Sequence, residues 1–94
     1  MKATEEQIIE DTLQEMQRIP GVGPSIARDL VDLGFKRIID LKDANPEEMY
    51  ELLKEIRGHF VDRCVLYVFR CAVYYARMDN PDPELLKWWN WKDS

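Results

Sequence analysis

Gly21 and Gly23 stand two positions apart, with Val22 between them and Pro24 directly after. Glycine at this spacing permits a turn whose backbone angles a Cβ would forbid. It also leaves peptide N–H groups bare to whatever approaches. A helix can begin at Pro24, because the N–H that proline lacks would be unpaired in a first turn anyway. Those bare N–H groups then lie near the positive end of a helix dipole, which suits an anion such as phosphate. Arg28, one turn further on, is placed to assist. The competing reading is architectural: the glycines let two helices pack closely and hold nothing.

Other residues with chemical potential are weaker. Glu47, Glu51 and Glu55 line one helix face at four-residue spacing. No histidine or third ligand accompanies them, so a solvated face is the expectation. Cys64 and Cys71 are seven apart on one helix, about 10 Å in rise, too far for a disulfide or a shared metal. His59 adds no zinc-like spacing, and both thiols read as small buried hydrophobes. Arg63, Arg70 and Arg77 form a line by sevens, which drifts only about 20° per heptad. Such a line either tracks a phosphate backbone or pairs with Glu51, Glu55 or the acidic tail; pairing is the favoured reading. Lys36 with Arg37, and Arg57 with His59, are secondary candidates for phosphate contact. Trp88, Trp89 and Trp91 crowd the end of the chain. They read as a lid over a small core, and alternatively as an anchor for a partner or a stacking platform for unpaired bases. No nucleophile–base pair or metal cluster is visible, so an enzyme is not expected.

These residues need helices to place them. Thr4 followed by Gln7 reads as a capping box, opening a helix over about 5–17 with Ile8, Ile9, Leu13 and Met16 on its apolar face. Ile26, Ala27, Leu30, Val31 and Leu33 repeat at helical spacing, and Gly34 is placed to end that helix. Phe35, Ile38 and Leu41 suggest a short connector. Asn45-Pro46 opens a third helix whose stripe is Met49, Leu52, Leu53 and Ile56. Arg57-Gly58-His59 is a second tight joint. The segment Phe60 to Met78 is apolar on most faces, as in a central or interface helix. Asn80-Pro81-Asp82-Pro83 is a stiff break before a short helix reaching Trp88.

The chain has 94 residues, enough for one small domain with a core. Its 46% hydrophobic and 33% charged residues fit a globular protein. Asp62, Arg63, Arg70 and Arg77 interrupt the longest apolar segment, so no membrane partner is expected. Residues 1–15 are acidic and lack an apolar stretch, which argues against a secretory signal. Two cysteines without a spaced framework point to reduced thiols and a cytoplasmic setting. Net charge is −5. Nucleic-acid affinity draws on Lys and Arg displacing counterions, so any DNA binding must be weak and salt-sensitive.

The run Gly21-Val22-Gly23-Pro24-Ser25-Ile26-Ala27-Arg28, continued by Val31-Asp32, resembles the helix-hairpin-helix motif of family X DNA polymerases. That resemblance implies a DNA phosphate held by the amides of Gly21, Gly23, Ser25 and Ile26. It also implies a K+ or Na+ site at the carbonyls of Gln17, Ile19 and Val22; no other cofactor is implied. Asp29 departs from the basic character common in such hairpins.

The run from Asp62 to Tyr75, then Asn80-Pro81-Asp82-Pro83-Glu84 and Trp88-Trp89-Asn90-Trp91-Lys92, resembles the bacterial pathogenicity-locus family, some of whose members are labelled mitomycin resistance proteins. This resemblance implies an all-α, tandem helix-hairpin-helix (SAM-like) domain of five to six helices, in a bacterial cytoplasm. The single domain 1–94 divides into a first hairpin at 5–34, a connector at 35–44, a degenerate second hairpin at 45–78 and a Trp-rich tail at 79–94. The leading functional expectation is a non-enzymatic, sequence-independent DNA-binding module in DNA repair or maintenance. The alternative is a protein-interaction or homodimerisation module using the long helix and the tail.

Overall fold

The computed structural model describes residues 4–93. Met1–Ala3 and Ser94, counted in the single domain 1–94, lie outside them. The described residues are all-α and hold no strand: α1 (Glu5–Met16), α2 (Pro24–Asp32), α3 (Pro46–Arg57) and α4 (Arg63–Arg77). Three single 3-10 turns cover Ile38–Leu41, Pro83–Leu86 and Trp88–Trp91. None of these helices is long and apolar enough to cross a membrane.

Local chemistry explains the helix ends. The Thr4 hydroxyl accepts the Gln7 N–H at 3.1 Å, but Gln7 turns its amide to Asp11 instead of back to Thr4, so only half of the expected capping box forms. Gly34, with φ +98°, closes α2. There Gly34 N–H donates to the Val31 carbonyl and Phe35 N–H to that of Leu30, a pairing that glycine's left-handed backbone makes available. The Asn45 side chain accepts from the N–H groups of Glu47 and Glu48 to open α3. Gly58, with φ +71°, ends α3 and lets the chain reverse. Asp62 then caps α4 by accepting the Cys64 N–H at 2.8 Å. The fourth helix therefore starts at Arg63, not Phe60. Phe60 precedes the cap and is 77% exposed.

α4 is the centre of the fold. Its Leu66, Phe69, Ala72 and Val73 are buried, and α3, the 38–41 turn and both tail turns pack on it. α1 packs on α2 through Met16, Ile19, Ala27 and Leu30, all within one core cluster. Two apolar stripes differ from the periodicity reading. On α1, Ile8 is half exposed while Thr12 is buried, its hydroxyl donating to the carbonyls of Ile8 and Lys36. On α3, Met49, Tyr50 and Leu53 are buried, whereas Leu52 and Ile56 are each 45% exposed. Tyr50 decides the rotation of α3: its ring is buried and its hydroxyl donates to the Val61 carbonyl.

The arginine line on α4 is paired, though not with Glu51 and Glu55. Asp93 accepts from Arg63 at 2.6 Å and from Arg70 at 3.0 Å. Arg70 also reaches Glu47 and the Trp91 carbonyl, and Arg77 donates to the carbonyl of Lys42. Only the first member of the α3 acidic row faces α4. Glu51 is taken by Lys54 on its own helix, and Glu55 is exposed. Cys71 is buried, and burial pushes its thiol up to about 11. Cys64 is exposed rather than buried, because it lies in the first turn of α4 beside the Asp62 cap.

Candidate functional site

The joint between α1 and α2 is built by short backbone bonds. Ile19 N–H donates to the Met16 carbonyl and Val22 N–H to the Ile19 carbonyl, which buries Ile19 and Val22 beneath the turn. Gly21 has φ +88°, the left-handed region that favours glycine. Gly23 has φ −94° and ψ −171°, extended backbone open to any residue, and is the N-cap of α2. Ala27 N–H, donating to the Gly23 carbonyl at 2.9 Å, is the first closed turn of that helix.

Four N–H groups are left over. Among the described residues, nothing accepts from the N–H of Gly21, Gly23, Ser25 or Ile26. Gly21, Gly23 and Ser25 are exposed and Ile26 is half-buried. A Cβ built on Gly23 would meet nothing within 4 Å. The first N–H groups of a helix have no intrahelical acceptor, and together with the dipole they favour an anion. The same turn also carries carbonyl oxygens. The Ile19 carbonyl holds Val22, while those of Gln17 and Val22 accept no hydrogen bond among the described residues. Neutral carbonyl oxygens fit a monovalent cation in chemical type; its other ligands would be water or an anion's oxygen.

The charges on α2 are balanced. Arg28 is exposed and pairs with Asp32 at 3.3 Å. Arg57, arriving from the far end of α3, places one guanidinium nitrogen 2.7 Å from Asp29 and 2.8 Å from Asp32. Those two hydrogen bonds raise the affinity of Arg57 for its proton, and Arg57 neutralises the acids of α2 in return. Arg57 is thus committed to α2, while the exposed His59 ring sits 2.7 Å from the Phe60 carbonyl. Lys36 and Arg37 follow the C-terminal end of α2, and Arg37 comes back against the last turn of α1, 3.9 Å from Glu15.

Three residues take places that the sequence reading did not give them. Arg18 lies within the turn and is exposed, lining a shallow groove with Arg37. Arg57 was visible as a basic residue, but its pairing with α2 joins distant segments. Trp88 packs on Gly21, with its Cδ1 3.0 Å from where a Cβ would sit. The rest of the tail is pinned by Trp91, which lies 5.4 Å from the Tyr74 ring and donates to the Leu85 carbonyl. Trp88 and Trp91 therefore act as the lid, and Trp89 remains 49% exposed.

These features define a small helical domain with an N–H-rich turn that is open at Gly23 and an aromatic tail packed on Gly21. The chain belongs to the Cdd1 pathogenicity locus family, whose profile it matches over residues 9–94. It is also similar to the mitomycin resistance protein McrB of Streptomyces lavendulae. The two are 30% identical over 77 residues, 82% of this chain and 70% of that protein. No solved structure matches the chain.

Proposed function

We propose that this chain is a non-enzymatic DNA-binding module of tandem helix-hairpin-helix design, serving DNA repair or maintenance in a bacterial cytoplasm. α1, the turn and α2 form the working hairpin. α3, Gly58 and α4 form a second, degenerate one that supports it. The observation that carries this reading is the set of N–H groups at Gly21, Gly23, Ser25 and Ile26 without a protein acceptor, set beside an open Gly23. A phosphate oxygen is the acceptor such groups suit, and backbone contacts to phosphate read no bases. Arg57 supports the reading by cancelling acids that would otherwise repel DNA, and Arg18 and Arg28 supply cations at the turn. With a net charge of −5, affinity is weak and falls steeply with salt.

The test is a titration of isotope-labelled protein with short gapped and intact duplex DNA at low salt, following backbone amides by NMR. Shifts centred on Gly21 to Ala27 that disappear as salt is raised are expected. Their absence would make the turn architectural. A second reading draws on the exposure of Trp89 beside two docked tryptophans: the tail anchors a protein partner or a second copy. Light scattering of the parent and of Trp89→Ala tests the second copy.

A further inference from the structure

The other end of α2 carries a different surface. Leu33, Phe35, Met49 and Leu52 floor an open groove of about 400 Å3, and Asp43 and Glu48 stand on its rim. Ile56 continues the apolar strip one helical turn beyond Leu52, and Glu55 borders it on the side of Glu48. Leu52 and Ile56 are each 45% exposed although the helix pattern marks them as core residues. Among the described residues, Asp43, Glu48 and Glu55 form no ion pair. Asp40, at the groove's edge, is occupied by the N–H groups of Lys36 and Arg37.

We propose that this groove docks a basic amphipathic helix of a partner protein. The apolar floor takes the partner's apolar stripe, as helix-in-groove recognition does, and the unpaired carboxylates meet Lys or Arg beside that stripe. Charge complementarity selects this occupant. DNA would be repelled by the rim. A second copy of the chain would set the same acids against each other. The groove is independent of the glycine turn, since it lies beyond the C-terminal end of α2.

A synthetic peptide of about 14 residues, four helical turns, tests the proposal. It carries leucines at helical spacing and lysines elsewhere. A scrambled peptide of equal composition lacks the stripe. The striped peptide is expected to bind saturably, with amide shifts confined to Leu33, Phe35, Ala44 and the Glu48–Ile56 face. The double variant Leu52→Asp, Ile56→Asp is expected to bind about tenfold more weakly, although it is more acidic. Both positions are already half exposed, so the variant should keep the parent's circular dichroism spectrum. Should it lose that spectrum, Leu52→Ser alone carries the same comparison. The proposal is overturned if the scrambled peptide binds equally well, if the variant binds as tightly as the parent, or if the chain dimerises through this face.

Discussion

Trp88 rests on Gly21, its Cδ1 3.0 Å from the position a Cβ on that glycine would take. This contact joins the tail to the turn between α1 and α2. Two costs therefore fall on Gly21→Ala: the positive φ of +88°, and displacement of the indole. We expect it to lose about 2 kcal/mol of stability, of which the backbone part is about 1 to 2. Trp88→Ala removes a half-buried indole and should cost about 2 to 3 kcal/mol, short of a fully buried aromatic. In the Trp88→Ala background, Gly21→Ala should cost less, because only the backbone part remains. A double-mutant cycle by urea denaturation measures that coupling. Strict additivity would mean that the tail does not press on the turn.

Arg57 ties the two halves of the domain together through Asp29 and Asp32, which are 13% and 24% exposed. Replacing it by Gln leaves two partly shielded carboxylates with only Arg28 nearby. The expected loss is about 1 to 2 kcal/mol, above the range for exposed pairs because the geometry is charge-assisted and partly buried. The penalty should shrink in high salt, as like-charge repulsion between the acids is screened. Adding Asp29→Asn should recover part of it. A penalty that ignores both salt and Asp29 would mean that Arg57 acts through packing alone.

Local signals made much of this fold readable. Asn45-Pro46 capping α3 and Gly34 closing α2 involve only neighbouring residues, and the structure shows both. The identity of the turn residues was readable for the same reason: Gly21 and Pro24 act on their own backbone. Periodicity was less informative on α3. It marks Met49, Leu52, Leu53 and Ile56 as apolar but cannot say which edge of the stripe meets α4, and Tyr50 took that place. Pairings between distant segments were not readable at all. Asp29 departs from the basic character of such hairpins, and nothing nearby in sequence signals that Arg57, from the end of α3, neutralises it. Likewise, a tail rich in tryptophan signals a lid without saying that Trp88 lands on Gly21.

The tail latch should open in acid. Arg63 and then Arg70 hold Asp93 down from 3.8 to about 2. A carboxylate whose folded value is lowered stabilises the fold above its unfolded value and loses that contribution as pH falls through the folded one. The latch is thus intact above about pH 4 and released as pH drops towards 2. Tryptophan fluorescence, reporting Trp91 against Tyr74, should differ between the parent and Asp93→Asn at neutral pH, and the difference should vanish across that window. Parallel profiles down to pH 2 would show that Asp93 does not hold the tail.

Gly21 is a poor place to test phosphate binding, because its substitution also disturbs Trp88. Gly23 is a better one. Its φ of −94° suits any residue, and a Cβ there meets nothing within 4 Å. A serine side chain at this N-cap can accept the Ser25 or Ile26 N–H, the same groups offered to a phosphate. Restricting the unfolded chain adds to the gain, so Gly23→Ser should stabilise the fold by about 0.5 to 1 kcal/mol. The same change should weaken DNA-induced shifts at Ser25 and Ile26 without altering charge. Stability and binding therefore move in opposite directions at a single position. Thermal denaturation and the low-salt NMR titration read the two effects separately. A Gly23→Ser variant that is more stable yet binds DNA as well as the parent would show that the phosphate is not held by these amides.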